Sequence, residues 1–394
     1  MMFLVSVETF AQTPRALGQS DAVQLGLTQN ATLKIAKLEE AKAAQRIAEA
    51  KGARLPEIGS AVGYSRYLQV MKFLFPAITL DMNSGQFVTE AGKFNVLNAG
   101  LRNVWSAGVN AQVSLFSPVV KNGIQQAEAA RQLAGVQTET ARQQLTAEIR
   151  KAYLGAVLAE EVATIRRQAL DRAGASLGEA RQLFRVGLAT EADTLQAWVA
   201  GENLRPALEK AGAEAQAAHL VLRFLTGLPL DGPLALTDRL AETAPTALPD
   251  FQTAYDEALG HRPDLKGQAL HGELARLQRE GTAALRKPQL ALTGAWQLTP
   301  QSNDFNFSRY FWPQQSFIGL TLNVPVYSGG RLNARVQQAE AARAQADQQT
   351  LQARRQVAVE VQNALVAAQD AHRRLGVQAG TIAAAERSLA LVQS

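Results

Sequence analysis

The chain of 394 residues contains no cysteine, which excludes disulfides, thiolate metal sites and a lipid anchor on an N-terminal cysteine. Histidine is scarce and scattered: His219, His261, His271 and His372 are all there are. No Gly-Lys-Ser/Thr phosphate loop is present. Acidic pairs such as Glu39-Glu40 and Glu160-Glu161 are adjacent, so on a helix they diverge by ~100° and read as surface charge. Nothing in the sequence forms a catalytic, metal or cofactor constellation, so the reading is not an enzyme. No apolar run approaches the ~20 residues of a membrane-spanning helix. Neither sign of charge dominates, with 40 Lys+Arg against 35 Asp+Glu and a net +5. The charges alternate within segments such as Lys37-Leu38-Glu39-Glu40, which fits solvated helix faces rather than a nucleic-acid patch.

The N-terminal apolar stretch is short. Met1-Met2-Phe3-Leu4-Val5-Ser6-Val7, then Glu8 and Ala11-Gln12-Thr13, has the form of the tail of a secretory signal without its basic n-region. The alternative is a plain disordered N-terminus; either way residues 1–19 are set apart from the fold. Without a spanning helix, the chain is either soluble or crosses a membrane as a barrel.

What the chain does have is a repeat. Ile124-Gln125-Gln126-Ala127-Glu128-Ala129-Ala130-Arg131 returns 212 positions on as Val336-Gln337-Gln338-Ala339-Glu340-Ala341-Ala342-Arg343. The same offset carries Leu145, Ile149, Tyr153 and Ala156 onto Val357, Val361, Leu365 and Ala368. Earlier the offset is 232: Ala22, Leu27 and Pro56 map onto Ala254, Leu259 and Pro288. The first copy therefore carries a loop 20 residues longer between the Pro and the Gln-Gln-Ala-Glu segment.

Each copy has the same order. A helix rich in Ala, Leu, Glu, Lys and Gln, about 20–55 or 250–287, ends at Pro56 or Pro288. Two strands follow, expected at about 56–67 and 104–116 in the first copy and 288–298 and 317–327 in the second. The second strands alternate cleanly. Val109, Ala111, Val113 and Leu115 interleave with Asn110, Gln112 and Ser114; Ile318, Leu320, Leu322, Val324 and Val326 interleave with Gly319, Thr321 and Asn323. Such a period gives one apolar and one polar face. The first strands are weaker: Ile58, Val62 and Tyr64, and Leu290, Leu292 and Trp296. Tyr64, Tyr67, Trp105, Trp296, Tyr310 and Trp312 cluster near strand ends, as in a bilayer-interface girdle or an ordinary sandwich.

After each second strand comes a turn, Ser117-Pro118 or Ser328-Gly329-Gly330, then a long helical stretch. Residues 122–185 contain no Pro and would span roughly 95 Å as a helix. Leu154, Leu158, Val162 and Ile165 recur on one stripe, as a coiled coil or helical barrel requires. Helices are expected over about 120–226, broken at Phe184-Arg185-Val186-Gly187-Leu188-Ala189-Thr190-Glu191-Ala192-Asp193. Gly187 can end one helix in the left-handed conformation, and Thr190 with Asp193 can cap the next.

Four strands alone leave open edges and bury little. Pooling them among several chains closes a barrel, with Val109, Ala111, Val113, Leu115, Ile318, Leu320, Leu322 and Val324 facing lipid. The architecture is α+β, mostly α: a duplicated helix, strand pair and long helix over 20–232 and 250–394, with a linker at 233–249.

Given twice, the order of helix, Pro, strand pair, Ser-Gly-Gly-type turn and long helix resembles the TolC-type family of outer-membrane efflux proteins. Asp21-Ala22-Val23, Leu25-Gly26-Leu27 and Asn30 are similar to the family's repeat opening, as is Ala258-Leu259-Gly260-His261-Arg262-Pro263-Asp264-Leu265 in the second copy. The resemblance covers about 20–394. It implies a homotrimer whose twelve strands form an outer-membrane barrel continued by a long periplasmic α-helical barrel. It also implies outer-membrane lipid, a periplasmic adaptor (membrane fusion) protein and an inner-membrane transporter as partners. Small molecules or proteins would then be exported by diffusion, with no bond chemistry or cofactor. By the same resemblance Val186, Gly187, Leu188 and Thr190 would form the tip that meets the adaptor. Asp193 would help hold the aperture closed, with capping alone as the other role.

The chain departs from the pattern at its end. The second copy stops short of the counterpart of the tip, and the last helix is expected to be missing, through truncation or because it is supplied otherwise. The competing reading is a soluble extracytoplasmic coiled-coil scaffold or adaptor with no barrel. That reading accounts for the helices but poorly for a strand pair at the same place in each copy.

Overall fold

Runs of strong helix formers, broken by Pro, Gly and capping residues, set the element boundaries in a computed structural model, which describes residues 15–82, 85–232, 234–240 and 247–393. In chain order the elements are β1 (Arg15–Leu17), α1 (Gln19–Gln29), α2 (Ala31–Gly52), β2 (Glu57–Arg66), β3 (Met71–Leu80), β4 (Phe87–Ala99), β5 (Asn103–Phe116), α3 (Pro118–Arg185), α4 (Glu191–Thr226), β6 (Leu234–Leu236), α5 (Phe251–His261), α6 (Pro263–Ala284), β7 (Gln289–Leu298), β8 (Gln301–Ser302), β9 (Gln314–Asn323) and α7 (Arg331–Gln393). The chain divides into two units. One comprises Met1–Ala43, Ala130–Gly272 and Gln345–Ser394; the other comprises Ala44–Ala129 and Glu273–Ala344.

The first unit is built around a helical core. Leu17, Ala22, Leu33, Leu145, Ile149, Tyr153, Val157 and Leu222 form one buried cluster. Each large side chain there contributes roughly 1.5–3 kcal/mol by leaving water. The row Leu145, Ile149, Tyr153 and Ala156 that the repeat singles out is fully buried. Gly26 lets α1 approach: a Cβ there would lie 2.2 Å from Ile149 Cδ1. Gly227, at φ 73°, ends α4 in the left-handed conformation.

Two polar groups close this core. The Tyr153 hydroxyl donates to Leu17 O at 2.9 Å and accepts from Asp238 N–H at 3.2 Å. It thereby holds β1 beside β6, which pair in parallel. Asn30 donates through Nδ2 to Leu225 O at 2.9 Å, while its Oδ1 accepts from Leu33 N–H at 3.2 Å. One side chain thus caps the start of α2 and takes up a carbonyl in the last turn of α4.

The single helix expected over 20–55 is therefore two, broken at Asn30, where ψ is 129°. The helix expected over 250–287 is also two, broken at Arg262 before Pro263, which disfavours a helical residue ahead of it. Asn30 and Arg262 are equivalent in the repeat. Arg262 ties its joint to α7 through Glu360 at 2.5 Å and to Asp264 at 2.6 Å. Hydrogen bonding to Arg262, which outweighs burial, holds the Asp264 and Glu360 carboxyls below their ordinary pKa values.

Two further expectations need correction. Residues 15–19 are ordered in β1 and the start of α1, and the linker 233–249 contains β6. The N-terminal signal expectation otherwise falls on residues 1–14, outside the described residues. Strands of three residues without alternation leave no periodic trace.

The second unit holds the sheet. Its order is β2-β5-β7-β9, all antiparallel, with β8 also pairing β5. The longer loop of the first copy contains a hairpin, β3 with β4, that the sequence reading does not resolve. The last strand runs over 314–323 rather than 317–327: Pro325 has no N–H and restricts Val324, so Val324 and Val326 lie beyond β9.

Removing the Tyr153 hydroxyl leaves the Asp238 N–H without its acceptor. Tyr153→Phe is expected to cost about 1–3 kcal/mol, read as a lower urea midpoint in the helical circular-dichroism signal. Burial above all, helped by the Asp238 carboxylate, raises the pKa of this phenol. Its contribution is thus fully present below the ordinary tyrosine pKa and lost only as pH rises through the raised value.

Candidate functional site: a sheet face and a helical hairpin tip

Paired residues in an antiparallel ladder share a face. The register therefore sorts every side chain of the sheet. Ile58 pairs Ala111, Val62 pairs Ala107 and Tyr64 pairs Trp105. Val109 pairs Trp296, Ala111 pairs Gly294 and Val113 pairs Leu292. Trp296, Gly294, Leu292 and Leu290 pair Ser316, Ile318, Leu320 and Leu322. Between the strand ends this face is made of apolar side chains, one Gly, Ser60 and Ser316; Arg66, Asn103 and Gln314 lie on it at the end where β2 finishes and β9 begins.

The opposite face carries Glu57, Asn110, Gln112, Ser106, Thr293, Gln297, Gln315 and Thr321 by the same pairings, with Phe317 the large apolar exception. The apolar face is uncovered in this chain: Ile318 is 83% exposed and Leu320 67%. A monomeric water-soluble protein rarely leaves a contiguous patch of this kind bare.

Of the predicted lipid-facing set, Val109, Ala111, Val113, Ile318, Leu320 and Leu322 share this face. Leu115 is the extra residue of a bulge between Ser114 and Phe116, and Phe116 takes the position opposite Leu290. Val324 lies outside the strand. Strand ends carry the aromatics. Tyr64 and Trp105 rings are 4.7 Å apart, Tyr310 and Trp312 rings 6.4 Å. Asn103, 1% exposed, accepts from Tyr64 Oη at 2.9 Å and donates to Asp304 O at 3.2 Å. Its role is invisible in the sequence, where it is one more loop Asn.

The hairpin tip follows from local rules. α3 ends in a Schellman motif: Leu188 N–H donates to Leu183 O at 2.9 Å and Gly187 N–H to Phe184 O at 3.0 Å. Gly187 supplies the required positive φ, 78°. Thr190 then caps α4. Its N–H donates to Asp193 Oδ2 at 2.8 Å and its Oγ1 accepts from Asp193 N–H at 3.3 Å. This reciprocal box brings Thr190 and Asp193 together and leaves Val186 and Leu188 standing out, 68% and 77% exposed. Hydrogen bonds from the Thr190 backbone and then its side chain hold the Asp193 carboxyl below the usual carboxylate range.

Among the described residues no helix is long and apolar enough to cross a membrane, and no group of three or more His, Asp or Glu is placed to hold a metal ion.

In chain order this four-stranded sheet, with one bare and mainly apolar face, alternates with long helices in both copies. The chain belongs to the outer membrane efflux protein family, whose model matches residues 22–228 and 254–394. It is similar to the alkaline protease secretion protein AprF of Pseudomonas aeruginosa, 27% identical over 199 residues, covering 50% of this chain and 41% of AprF. The chain thus matches less than half the length of that relative. Its fold is like that of CusC, with a TM-score of 0.68 and 18% identity over 93% of this chain and 79% of CusC. The outer membrane protein VceC of Vibrio cholerae gives a TM-score of 0.66 at 18% identity, over 95% of this chain and 84% of VceC.

Thr190→Ala removes one side of the capping box and is expected to weaken the start of α4 by about 1 kcal/mol. Faster amide exchange confined to the first turn of α4 would report it. Because the Asp193 pKa is depressed, the Asp193 half of the box is present above the ordinary carboxylate pKa. It fails only as pH falls through the lowered value.

Proposed function

We propose that this chain is one protomer of a channel in the cell outer membrane with a periplasmic helical extension, exporting small molecules or proteins. The carrying observation is the sheet: one mainly apolar face, one mainly polar face, and two strands, β2 and β9, each paired on one side only among the described residues. In hydrocarbon every backbone N–H and C=O needs a partner, so such a sheet enters a bilayer only as part of a closed barrel. A strand of 10 residues, as β7 and β9 are, matches the ~9–11 that span the core at a tilt. Four strands from each of three copies make a barrel of the size the family resemblance implies. The polar face then lines a water-filled lumen through which substrate diffuses.

The exposed tip, Val186 and Leu188 about Gly187, serves as the contact for a periplasmic adaptor linked to an inner-membrane pump. It is apolar, rigidly terminated and free of charge from Val186 to Leu188, as a helix-to-helix docking point requires. Asp193 caps α4 and sets one negative charge beside that point.

Two variants one residue apart test the barrel. Leu320→Lys places a charge on the apolar face, at a cost of about 2–4 kcal/mol if that face meets mid-bilayer lipid. It should abolish the heat-resistant oligomer and channel conductance in planar bilayers. Thr321→Lys, on the other face, should leave the oligomer intact and alter ion selectivity. A soluble scaffold would tolerate both alike. For the tip, Gly187→Pro cannot hold φ 78°; it should preserve the oligomer but lose adaptor crosslinking and export. Unchanged export would refute the tip assignment.

A further inference from the structure

The hairpin β3–β4 differs in kind from the four-stranded sheet. On one of its faces the register pairs Phe73 with Leu97, with Met71 and Phe75 alongside; on the other it pairs Leu74 with Val96 and Pro76 with Phe94. Both faces are therefore mainly apolar, with Asn95 on the first and Lys72 and Asn98 on the second, and the apolar side chains named are about half exposed or more. The charges of residues 71–99 are Lys72, Asp81, Glu90 and Lys93, two of each sign, so no net charge keeps the ribbon in solution.

Neither solvent suits it. A two-stranded ribbon alone in water is marginal at best. Lipid is no better, because a ribbon has two open edges whose backbone groups would go unpaired in hydrocarbon. Edge growth is discouraged as well: Pro76 has no N–H, and the ladder slips between Pro76 and Ile78. What remains is a protein partner laid against the faces.

The connection to the sheet says which protein. β2 runs into β3 and β4 into β5 through Tyr67–Val70 and Gly100–Arg102, with Tyr67 N–H donating to Arg102 O at 2.7 Å to keep the strands paired. The ribbon thus continues the β2–β5 pair at the end away from α2 and α3. If copies adjoin edge to edge through β2 and β9, each brings one ribbon to the same rim. We propose that the ribbons of neighbouring copies pack apolar face against apolar face at the outer mouth of the barrel. The inference rests on the barrel reading above.

The absence of cysteine gives a clean background for crosslinking. Single variants Phe75→Cys and Leu74→Cys probe the two faces, and Ala61→Cys/Gln315→Cys places one thiol on each free sheet edge. Membranes holding the full chain are treated with a short bismaleimide. The expected result is covalent oligomers from the edge pair and from at least one ribbon variant. Adding Phe73→Ser and Leu97→Ser should cut the Phe75→Cys yield several-fold while leaving the edge yield unchanged. The proposal is overturned if the edge pair crosslinks but both ribbon thiols stay monomeric. Free reaction with a polymer-linked maleimide would then show them bathed in water, and capture by a lipid-confined photolabel would show them in the bilayer. Ribbon crosslinks without edge crosslinks would uphold the packing and sink the barrel. No crosslinks from either would sink both.

Discussion

An antiparallel sheet hides its backbone only where a neighbouring strand is paired, and among the described residues β2 and β9 each have a neighbour on one side alone. Every other feature of the second unit follows from that constraint together with the bare apolar face. Water rejects the face, lipid rejects the edges, and closure with further strands satisfies both. In the barrel proposed above, the polar side, from Glu57 through Asn110 and Thr293 to Thr321, faces inward, where water can fill the lumen. Nothing in this argument uses the helices, which makes the sheet an independent witness to the family assignment.

The helical unit solves a different problem with the same repeated parts. Each copy opens with a short helix, a break, and a longer helix. The break falls at equivalent positions, Asn30 and Arg262. In the first copy a neutral amide reaches a terminal carbonyl of α4 at Leu225. In the second a guanidinium reaches a carboxylate of α7 at Glu360. Backbone geometry has been kept while the tie across it has changed from a capping bond to an ion pair. The partly exposed pair is worth less per contact than the buried amide, because solvent screens it.

Much of this architecture was legible in the residues. Period-2 alternation located β5 and most of β9, and the helical stripe with Pro and Gly punctuation located α3, α4 and the tip. Both depend on signals that persist over many residues. Elements that escaped notice lack such a signal. β1 and β6 are three residues each and pair across the whole first copy. β3 and β4 have no polar face, so their alternation is masked, and they pass as an apolar loop. The face shared by Leu292 and Leu320 was only half visible, since alternation names one strand's face and register alone assembles four. Leu115 and Val324 went astray for local reasons, a bulge and a following proline, that periodicity does not see.

The clamp around Tyr153 also bears on the order of events in folding. It joins Leu17, near one end of the first copy, to Asp238, beyond the other, and Gln19 N–H meets the Asp238 carboxylate across 219 positions. These are contacts of very high sequence separation, and their loop-closure entropy must be met before the core gains from them. A chain that emerges N-terminus first therefore cannot finish its first repeat until residue 238 is free. Until then the core around Tyr153 lacks the β1–β6 pair and the Asp238 contacts that close it. The first half of this molecule is thus closed only by residues of the linker that follows it.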